Sequence, residues 1–438
     1  LDGEGTVNQP IFVRGIDEPN VPLRMSIGYY GNASCIIVEG IKFFRGEISG
    51  RQSGTAFTTS NICVRQCEFQ GSETLGGVGI DSYTENCVEH VVMYGNVIHD
   101  NGVWDPNIAG GDQDVHAITI NRKISSVWVV DNHMYHNSGD GLQINSTPTT
   151  LSHYIYVGRN VAHHNKQSGF WTKYAEHVIF SENVAYGFKE SSSSLGQALG
   201  WQYGPNHVWF LFNHAHDSEF GIYSGSSSGP GFDGECLNIN IIGNYFHDIY
   251  HSSEEWNPTG TPDMIQGTAI GPRGVKELYI IGNTITRVDA GISVGVSTTK
   301  TIAIVNNLVS DITAISYSHH LRLDDRESGA GIANTTCDYN LLYQPGDSPR
   351  IITGMNYLNY KTLLQFQSEF NKGLHSLDVD PMLIESPQGS VSLYAESPAI
   401  DAGTGAGDVN EVFARFEGLY GIDIRKDIAG RARPQGGG

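Results

Sequence analysis

The sequence predicts an all-β protein, a right-handed parallel β-helix in which a single chain winds through three short strands per rung. Three recurring features support this fold: an apolar strand that ends in asparagine, a short strand with an apolar middle residue, and a strand led by glycine. These segments are rich in β-branched and aromatic residues and too short for helices of period 3.6. Repeats of this kind stack into a solenoid with one continuous core.

The first strand of each repeat ends in asparagine, as in VVMYGN, VWVVDN and VWFLFN. The spacing between copies varies, which predicts a solenoid with loop insertions of different lengths. Asparagine tolerates left-handed backbone geometry, so we expect it at the turn after this strand, with stacked side chains hydrogen-bonding along the axis. The recurring residues are Asn96, Asn132, Asn160, Asn183, Asn213, Asn244, Asn283 and Asn307.

The second strand follows the asparagine, and its middle residue is predicted to point into the core because strand side chains alternate between faces. These middle residues are Ile98, Met134, Ala162, Ala185, Ala215, Phe246 and Ile285. A histidine or tyrosine that points outward comes next. The third strand begins at glycine in GLQINS, GFWTKY, GWQYG, GIYSG and GISVG. Crossover connections between parallel strands are right-handed almost without exception, which predicts the hand of the solenoid.

The pattern changes near the end of the chain. We expect residues 1–343 to form the β-helix domain that carries any catalytic site, and residues 344–438 to form a tail and cap of the same domain. In TLLQFQSEF, the apolar residues Leu363, Phe366 and Phe370 share one helical face. A solenoid needs such a cover at its open end.

Composition excludes several classes of partner. The formal net charge is -21 and no basic block occurs, so we expect no nucleic-acid partner. No apolar run approaches the length that spans a bilayer, so we expect no membrane insertion. The chain starts within LDGEGT, which resembles the middle of a turn, and we therefore expect a secreted or periplasmic protein whose signal peptide has been removed. We also expect a monomer.

The six cysteines lack the CxxC spacing of a structural zinc site and lie in apolar strand-like segments, which predicts buried thiols. They are Cys35, Cys63, Cys67, Cys87, Cys236 and Cys337.

The third strands are predicted to present a polar strip to solvent. Aligning them by their glycines places Thr119, Gln143, Trp171, Gln202, Tyr223 and Ser293 in one outward column. The inward column between these positions reads Ile118, Leu142, Phe170, Trp201, Ile222 and Ile292. A second outward column holds Asn121, Asn145 and Lys173, with Gly204 at the matching position of the following rung. Amides suit sugar hydroxyls and aromatic faces suit pyranose rings, although an ordinary solvated sheet face would show a similar pattern.

Three long insertions are predicted to wall this strip, because each leaves the solenoid just before a glycine-led strand. They span Trp104–His116, Lys189–Leu199 and His251–Gln266. Loops of this length in compact folds commonly carry function. The insertions predict a groove centred near residues 116–225.

Lys173 is the first candidate for chemistry, since it projects from the middle of the strip beside Trp171 and has no carboxylate at the matching positions next to it. A lysine there could neutralise a substrate carboxylate or act as a base, and a solvated surface lysine is the simpler alternative. The candidate proton carriers near the groove are Tyr135, His136, His116, Tyr203 and Tyr223. The histidines at the repeated outward position, His99, His163, His216 and His247, are interpreted as a structural ladder.

The runs VWVVDNHMYHNSGDGLQINS, IYVGRNVAHHNKQSGFWTKYAEHVIFSENVAY and WQYGPNHVWFLFNHAHDSEFGIYSG resemble the central rungs of secreted β-helix polysaccharide lyases. They are most similar to the alginate lyases of polysaccharide lyase family 31. The resemblance implies a lysine and a tyrosine as the catalytic pair, which correspond here to Lys173 of QSGFWTK and Tyr135 of NHMYHN. A chain this acidic would repel a polyuronate unless the groove is locally positive. Arg122, Lys173, Arg159 and Arg273 could supply that charge.

The leading hypothesis is a lyase that cleaves a uronate-containing polysaccharide such as alginate by β-elimination. Its catalytic candidates are Lys173, Tyr135 and His116. The candidate substrate-binding residues are Gln143, Asn145, Trp171, Gln202, Tyr203, Tyr223, Asn121 and Arg122. A C5-epimerase would use the same groups without breaking the glycosidic bond, and a noncatalytic carbohydrate-binding solenoid also fits the fold.

A glycoside hydrolase would need two carboxyl groups about 5 to 9.5 Å apart across the scissile bond. The candidates are Asp140, Asp112, Asp114, Glu219, Asp324 and Asp325, and no two of them fall on the glycine-led face of adjacent rungs. No cofactor is required by an elimination. Ca²⁺ could bind at Glu254 and Glu255 or at Asp324 and Asp325, although their spacing is not diagnostic.

Overall fold

The computed structural model is a parallel β-helix built from three stacks of strands, as predicted. It describes residues 1–15, 23–52, 55–74, 76–82, 88–104, 113–191, 193–225, 228–229, 232–233, 236–251, 266–313, 317–354, 360–386 and 390–425. Along most of the solenoid, each rung adds one strand to each stack, and the neighbours within a stack are parallel.

The first sheet contains the strands that end just before the recurring asparagines. Its strands are Gly3–Glu4, Ile11–Arg14, Ala33–Glu39, Thr59–Arg65, Val88–Tyr94, Ile124–Val130, Ser152–Gly158, Ala175–Ser181, Asn206–Leu211, Leu237–Ile242, Glu277–Ile281, Thr301–Val305 and Thr336–Asp338.

The second sheet contains the short strands after the asparagines. Its strands are Glu68–Gln70, Val97–His99, His133–Tyr135, Val161–His163, Val184–Tyr186, His214–Ser218, Tyr245–Ile249, Thr284–Val288, Leu308–Ile312 and Leu341–Tyr343. The middle residues predicted to point inward, such as Met134 and Phe246, are fully buried. This burial confirms the predicted core column. Burying each large side chain of this kind contributes about 1.5–3 kcal/mol to stability.

The third sheet contains the glycine-led strands. Its strands are Leu23–Ile27, Val78–Asp81, Ile118–Asn121, Leu142–Asn145, Phe170–Lys173, Gln197–Gln202, Phe220–Ser224, Thr268–Gly271, Ala290–Val296, His319–Asp325 and Ile351–Thr353, with Tyr360–Lys361 antiparallel to the last. The strand Lys42–Ser49 pairs at its start in the second sheet and at its end in the third. Separate antiparallel pairs join Arg51–Gln52 to Thr55–Ala56, Ser228–Gly229 to Phe232–Asp233, and Leu383–Glu385 to Val391–Leu393.

The predicted asparagine ladder runs through the buried turn between the first and second sheets. Each Nδ2 donates to the Oδ1 of the next asparagine at 2.8–3.0 Å, and the backbone N–H of the same residue donates to that oxygen as well. The ladder extends beyond the predicted members to Asn340. Because a buried unpaired amide is costly, this continuous pairing holds neighbouring rungs in one register.

The backbone geometry of this turn differs from the expectation. The left-handed residue is the one before each ladder asparagine, with φ of 57° at Asp131, 53° at Arg159 and 57° at Glu182. The asparagine itself is not left-handed. A left-handed residue at this position turns the chain so that the asparagine side chain enters the interior, which explains why the preceding residue varies in type while the asparagine does not.

A second asparagine ladder, which the sequence analysis missed, lies at the turn between the second and third sheets. Asn101 donates to Asn137 at 2.8 Å, and Asn137 donates to Asn165 at 2.7 Å. Each of these residues follows a member of the first ladder at the same spacing, in NVIHDN, NHMYHN and NVAHHN. That repeated spacing was the available signal.

The tail packs on the solenoid at two places. The predicted helix, here α1 (Leu363–Phe370), begins at a capping box formed by Thr362 and Gln365 and buries Leu363 and Phe366. The chain after it covers the last rung, where Leu342 N–H donates to the carbonyl of Leu377 and Leu377 N–H donates to the carbonyl of Asn340. A short helical turn, Ala330–Ala333, precedes this region.

A further helix, α2 (Asp408–Tyr420), lies against the outer face of the first sheet. Its Val412 and Phe416 pack with Trp209 and Tyr279 of that sheet in a separate hydrophobic cluster. The tail therefore reaches further back along the solenoid than the last rungs, because the exposed apolar face of the first sheet needs a cover.

The cysteines that the structure describes form no disulfide with one another. Cys67, Cys236 and Cys337 are buried as predicted, Cys35 and Cys63 are only partly buried, and Cys87 lies outside the described residues. Within the described ranges, no helix is long and apolar enough to cross a membrane.

The ladder predicts a large stability loss from a single amide. Asn183→Ala removes the oxygen that accepts both the backbone N–H and the Nδ2 of Asn160, so we expect the free energy of unfolding to fall by about 3 kcal/mol. Urea unfolding followed by circular dichroism measures this change. The control Asn145→Ala alters an exposed amide and should shift the same quantity by less than about 0.5 kcal/mol. Equal effects of the two variants would contradict the structural role of the ladder.

Candidate active site

The outward-facing residues of the third sheet form two columns, which we call the third-sheet face. Pairing between neighbouring strands places Thr119, Gln143, Trp171, Gly200, Tyr223 and Gly271 in the first column. Ser293 and Arg322 continue it, since they pair with each other and Ile270 pairs with Ile292. The second column contains Asn121, Asn145, Lys173 and Gln202.

The structure corrects the predicted register at one rung. Gln202 pairs with Lys173 in the second column, so Gly204 is not its neighbour, and Leu199 rather than Trp201 lies beside Phe170. The prediction took Gly200 as the leading glycine, but Ala198 occupies that position, where its carbonyl oxygen approaches Gly169. Gly200 instead lies under Trp171, where an added Cβ would come 2.4 Å from Trp171 Cζ3.

The third-sheet face is less open than expected. Trp171 and Tyr223 are each only 6% exposed and Gln143 is 3% exposed, so these side chains do not present a platform to solvent. Lys173 and Gln202 are partly exposed, and Asn145 is exposed. Around Lys173, the side chains that a polymer could contact directly in this conformation therefore belong to the second column.

Lys173 is held by a chain of polar contacts that leads into the protein. Its Nζ lies 3.5 Å from Oε1 of Gln143, and the Gln143 amide donates to Oδ2 of Asp140 at 2.6 Å. The other oxygen of Asp140 accepts the backbone N–H of Ser168 at 2.9 Å. Lys173 thus stands at the outer end of a buried, hydrogen-bonded support.

Asp140 and His116 form the inner end of this support, and both are buried. The backbone N–H of Asp140 donates to His116 Nδ1 at 2.8 Å, which leaves the ring proton on Nε2, 3.4 Å from Asp114. Burial raises the pKa of the Asp140 carboxyl, but contacts with His116, Gln143 and Lys173 outweigh it and hold the pKa below its usual range. His116 therefore positions the Asp140 turn and does not reach solvent.

Tyr135 lies on a different sheet from Lys173. It belongs to the second sheet, where its ring stacks between His99 at 4.8 Å and His163 at 5.2 Å. Burial, then the charges of Asp100 and Glu68, raise the pKa of Tyr135. The described contacts of Tyr135 join it to this aromatic array and not to the third-sheet face.

The outward histidines of the second sheet form the predicted ladder. Rings stack in the order His99, Tyr135, His163, Tyr186, His216 and His247, with centroids 4.7–5.2 Å apart. Burial, then nearby histidines, lower the pKa of His163 to about 4 and that of His214 to about 3. His163 and His214 are therefore neutral at pH 7.

The other predicted residues are placed as follows. Tyr203 is partly exposed next to Gln202 and stacks on Tyr174 with centroids 5.0 Å apart. Arg122 pairs with Asp81 on the third-sheet face at 2.8 Å. Arg159 was expected to supply positive charge to the groove, but it pairs with Asp131 at the end of the first-sheet strands and lies away from the third-sheet face. The sequence contained the signal for this position, because Arg159 directly precedes the ladder residue Asn160, which lies at the turn after the first sheet.

Further along the third-sheet face lies a cavity of about 800 Å³. The charged residues that line it are Arg273, Lys300, Arg322, Arg326, Asp324 and Glu327. We call it the basic cavity, because four of the described charged residues that line it are cations and two are carboxylates. Of these residues, the sequence analysis selected Arg273 and Asp324 but missed Arg322, although the run RLDDR on a predicted strand signals alternating charges on one face.

The hydrolase carboxylates are mostly committed to structural contacts. Glu219 is fully buried beside His251, and Asp325 accepts the backbone N–H groups of Glu327 and Ile332. Asp112, Glu254 and Glu255, together with most of the insertions at Trp104–His116 and His251–Gln266, lie outside the described residues. Across the described ranges, no three His, Cys, Asp or Glu side chains form a group that could hold a metal ion.

Comparison with known proteins shows similarity in fold only. No family model matches the sequence, and no curated protein matches it, so membership of polysaccharide lyase family 31 stays a prediction. Among solved structures, a mannuronic acid-specific polysaccharide family 6 lyase from human gut microbiota is 12% identical with a TM-score of 0.45, covering 78% of this chain and 76% of that one. The mannuronan C-5 epimerase AlgE6 A-module of Azotobacter vinelandii is 13% identical with a TM-score of 0.37, covering 85% and 91%. PfbA, a surface adhesin of Streptococcus pneumoniae, is 11% identical with a TM-score of 0.38, covering 88% and 84%. Similarity at this level assigns no activity.

The histidine ladder predicts acid sensitivity. Because the pKa of folded His163 is about 4 and that of an unfolded histidine is about 6.5, the unfolded state binds the proton more tightly. Its contribution to stability is therefore complete above about pH 6.5 and is lost as the pH falls towards about 4. We expect a lower melting temperature at pH 5 than at pH 7.5, and a smaller difference in His163→Tyr, which keeps a ring between Tyr135 and Tyr186. An unchanged pH difference in that variant would contradict the assignment.

Proposed function

We propose that the protein cleaves a uronate-containing polysaccharide, with alginate as the first substrate to test, by β-elimination centred on Lys173. The observation that carries this proposal is the supported lysine itself. Lys173 is partly exposed on the third-sheet face, between the exposed Asn145 and the partly exposed Gln202, and its ammonium is held near Gln143 above buried Asp140. This contact holds the ammonium at the surface beside two polar side chains that a sugar chain could reach.

The proposed reaction needs a cation, a base and an acid. The cation offsets the uronate carboxylate, so the proton on the adjacent carbon, C5, becomes acidic. The base removes that proton, and its electron pair forms the C4–C5 double bond as the C4–oxygen bond breaks. The acid then protonates the departing glycosidic oxygen. Lys173 is placed to supply the cation, or the base if it is deprotonated in the complex.

A tyrosine is the second group that the family resemblance implies, and the structure favours Tyr203 over Tyr135 for this role. Tyr203 directly follows Gln202, the partner of Lys173 in the neighbouring strand, and is partly exposed. Tyr135 is stacked within the second sheet and its pKa is raised. Asn145 and Gln202 would bind sugar hydroxyls on either side of Lys173.

The alternative of a glycoside hydrolase is less well supported by these contacts. Asp140 is the carboxylate nearest to Lys173 in the support, but it is 2% exposed and both oxygens accept hydrogen bonds. A general acid or a nucleophile must reach the glycosidic bond. A polysaccharide substrate outside the cell also fits the secreted or periplasmic location that we expect.

Activity assays on a panel of polyuronates test this proposal. Elimination creates an unsaturated uronate that absorbs in the ultraviolet, whereas hydrolysis and epimerisation do not. We expect such absorbance to appear with at least one polyuronate, and Lys173→Ala to lower the rate by at least about 100-fold, the usual contribution of a general acid–base group. Lys173→Arg keeps the charge but not a removable proton, so residual activity would indicate charge neutralisation and near-complete loss would indicate a base.

The matched control is Lys42→Ala, which removes a lysine paired with Glu68 on the second sheet and should leave the rate unchanged. Tyr203→Phe should lower the rate much more than Tyr135→Phe. Full activity of Lys173→Ala on every polyuronate cleaved by the parent protein would overturn the assignment.

A further inference from the structure

The basic cavity lies on the same face as Lys173, but not beside it. From the strand that carries Lys173, successive partners are Gln197–Gln202, Phe220–Ser224, Thr268–Gly271, Ala290–Val296 and His319–Asp325. Arg322 therefore stands five strands away, or about 24 Å at the usual spacing between strands. Tyr223, at the near end of the cavity, stands two strands away.

We propose that the basic cavity is a remote binding site for the carboxylates of an extended polyuronate chain, which makes the protein act preferentially on long chains. This inference rests on the proposed function, because it assumes that the same polymer passes Lys173. A pyranose residue advances a chain by about one strand spacing, roughly 5 Å, so a chain that reaches from Lys173 to Arg322 needs about five sugars.

Charge is the first argument. The protein carries a formal net charge of -21, yet among the described charged residues that line its cavity of about 800 Å³, four are cations and two are carboxylates. A concave site with one sign of charge focuses the potential on ligands of the opposite sign. Screening at physiological salt limits the repulsion from distant carboxylates to about 8 Å.

The chemistry of the cations is the second argument. Arginine presents a planar fork of donors that matches a carboxylate, and three of the four cations are Arg273, Arg322 and Arg326. Arg322 Nη1 lies 3.4 Å from the hydroxyl of Ser293, a neutral group suited to a sugar hydroxyl. Arg273 lies over the Tyr223 ring, with its Cζ 5.6 Å from the centroid.

Asp324 positions two of the arginines and offsets one of their two charges. One of its oxygens lies 3.4 Å from both Arg322 and Arg326, so a single carboxylate holds two guanidinium groups at the wall. Its other oxygen is buried. Both guanidinium groups line the cavity, where their remaining N–H groups can donate to a carboxylate.

Small residues keep the cavity open, which is the third argument. Gly271 follows Tyr223 in the first column, and Gly295 pairs with Asp324 in the second. A Cβ added at Gly295 would meet no atom within 4 Å, which shows that the space above this strand is empty. Larger side chains at these positions would fill the path of a chain.

The test compares oligouronates of about three and about ten sugars, which are shorter and longer than the span from Lys173 to Arg322. Dissociation constants are measured by calorimetry with the Lys173→Ala protein, and kcat/KM with the parent protein. We expect the longer oligomer to bind at least about tenfold more tightly, as one added charge-assisted contact allows. In Arg322→Gln this preference should shrink at least about fivefold, and kcat/KM should show the same loss of length dependence.

Arg326→Gln and Arg273→Gln remove exposed cations and should each reduce the preference without affecting folding, so the test survives if Arg322→Gln misfolds. The control Arg159→Gln removes an arginine paired with an aspartate next to the first sheet and should not change the preference. Elimination without a length preference, or a preference unaffected by all three cavity variants, would overturn this inference alone. Length-dependent binding without any elimination product would instead retain the cavity as a polyuronate site and reject the proposed function.

Discussion

The buried asparagine ladder is the interaction on which the rest of the structure depends. Each asparagine amide donates hydrogen bonds to the rung before it and the rung after it. Asn160, for example, donates to Asn183 and to the backbone carbonyl of Val129. An amide in this environment cannot be left unpaired without a large loss of stability. Adjacent rungs are therefore held in one register along the axis, and loops of any length can leave the solenoid without disturbing it.

That fixed register is what places distant parts of the chain on one face. Lys173 and Arg322 are far apart in sequence, yet both point outward from the third sheet because their strands belong to the same stack. The apolar residues between them pack inward as one core. The linear polymer that we propose as substrate would lie along this face, since its repeat and that of the strands have about the same length.

The distribution of charge separates the faces of an acidic protein. Several acidic residues outside the third sheet are paired with arginines, which offsets their negative charge. Glu39 pairs with Arg14 and Arg65 at the first sheet, and Asp248 pairs with Arg287 at the second. Burial lowers the pKa of His163 and His214 on the second sheet, so these two imidazoles are neutral at pH 7. Four of the described charged residues that line the basic cavity of the third sheet are cations, which is the feature on which the proposed polyuronate binding depends.

The sequence by itself determined the solenoid, the three strands per rung, the inward column that includes Met134, and the first asparagine ladder, because all of these follow from local periodicity. It also selected Lys173. Only the tertiary structure decided the neighbours of these residues across the sheets. It places Gln202 beside Lys173, Tyr135 on a different sheet and Arg322 on the same face as Lys173, and it buries Trp171. Periodicity within a strand cannot reveal these relations, because a shift of two residues preserves the alternation of faces while changing every neighbour across the sheet.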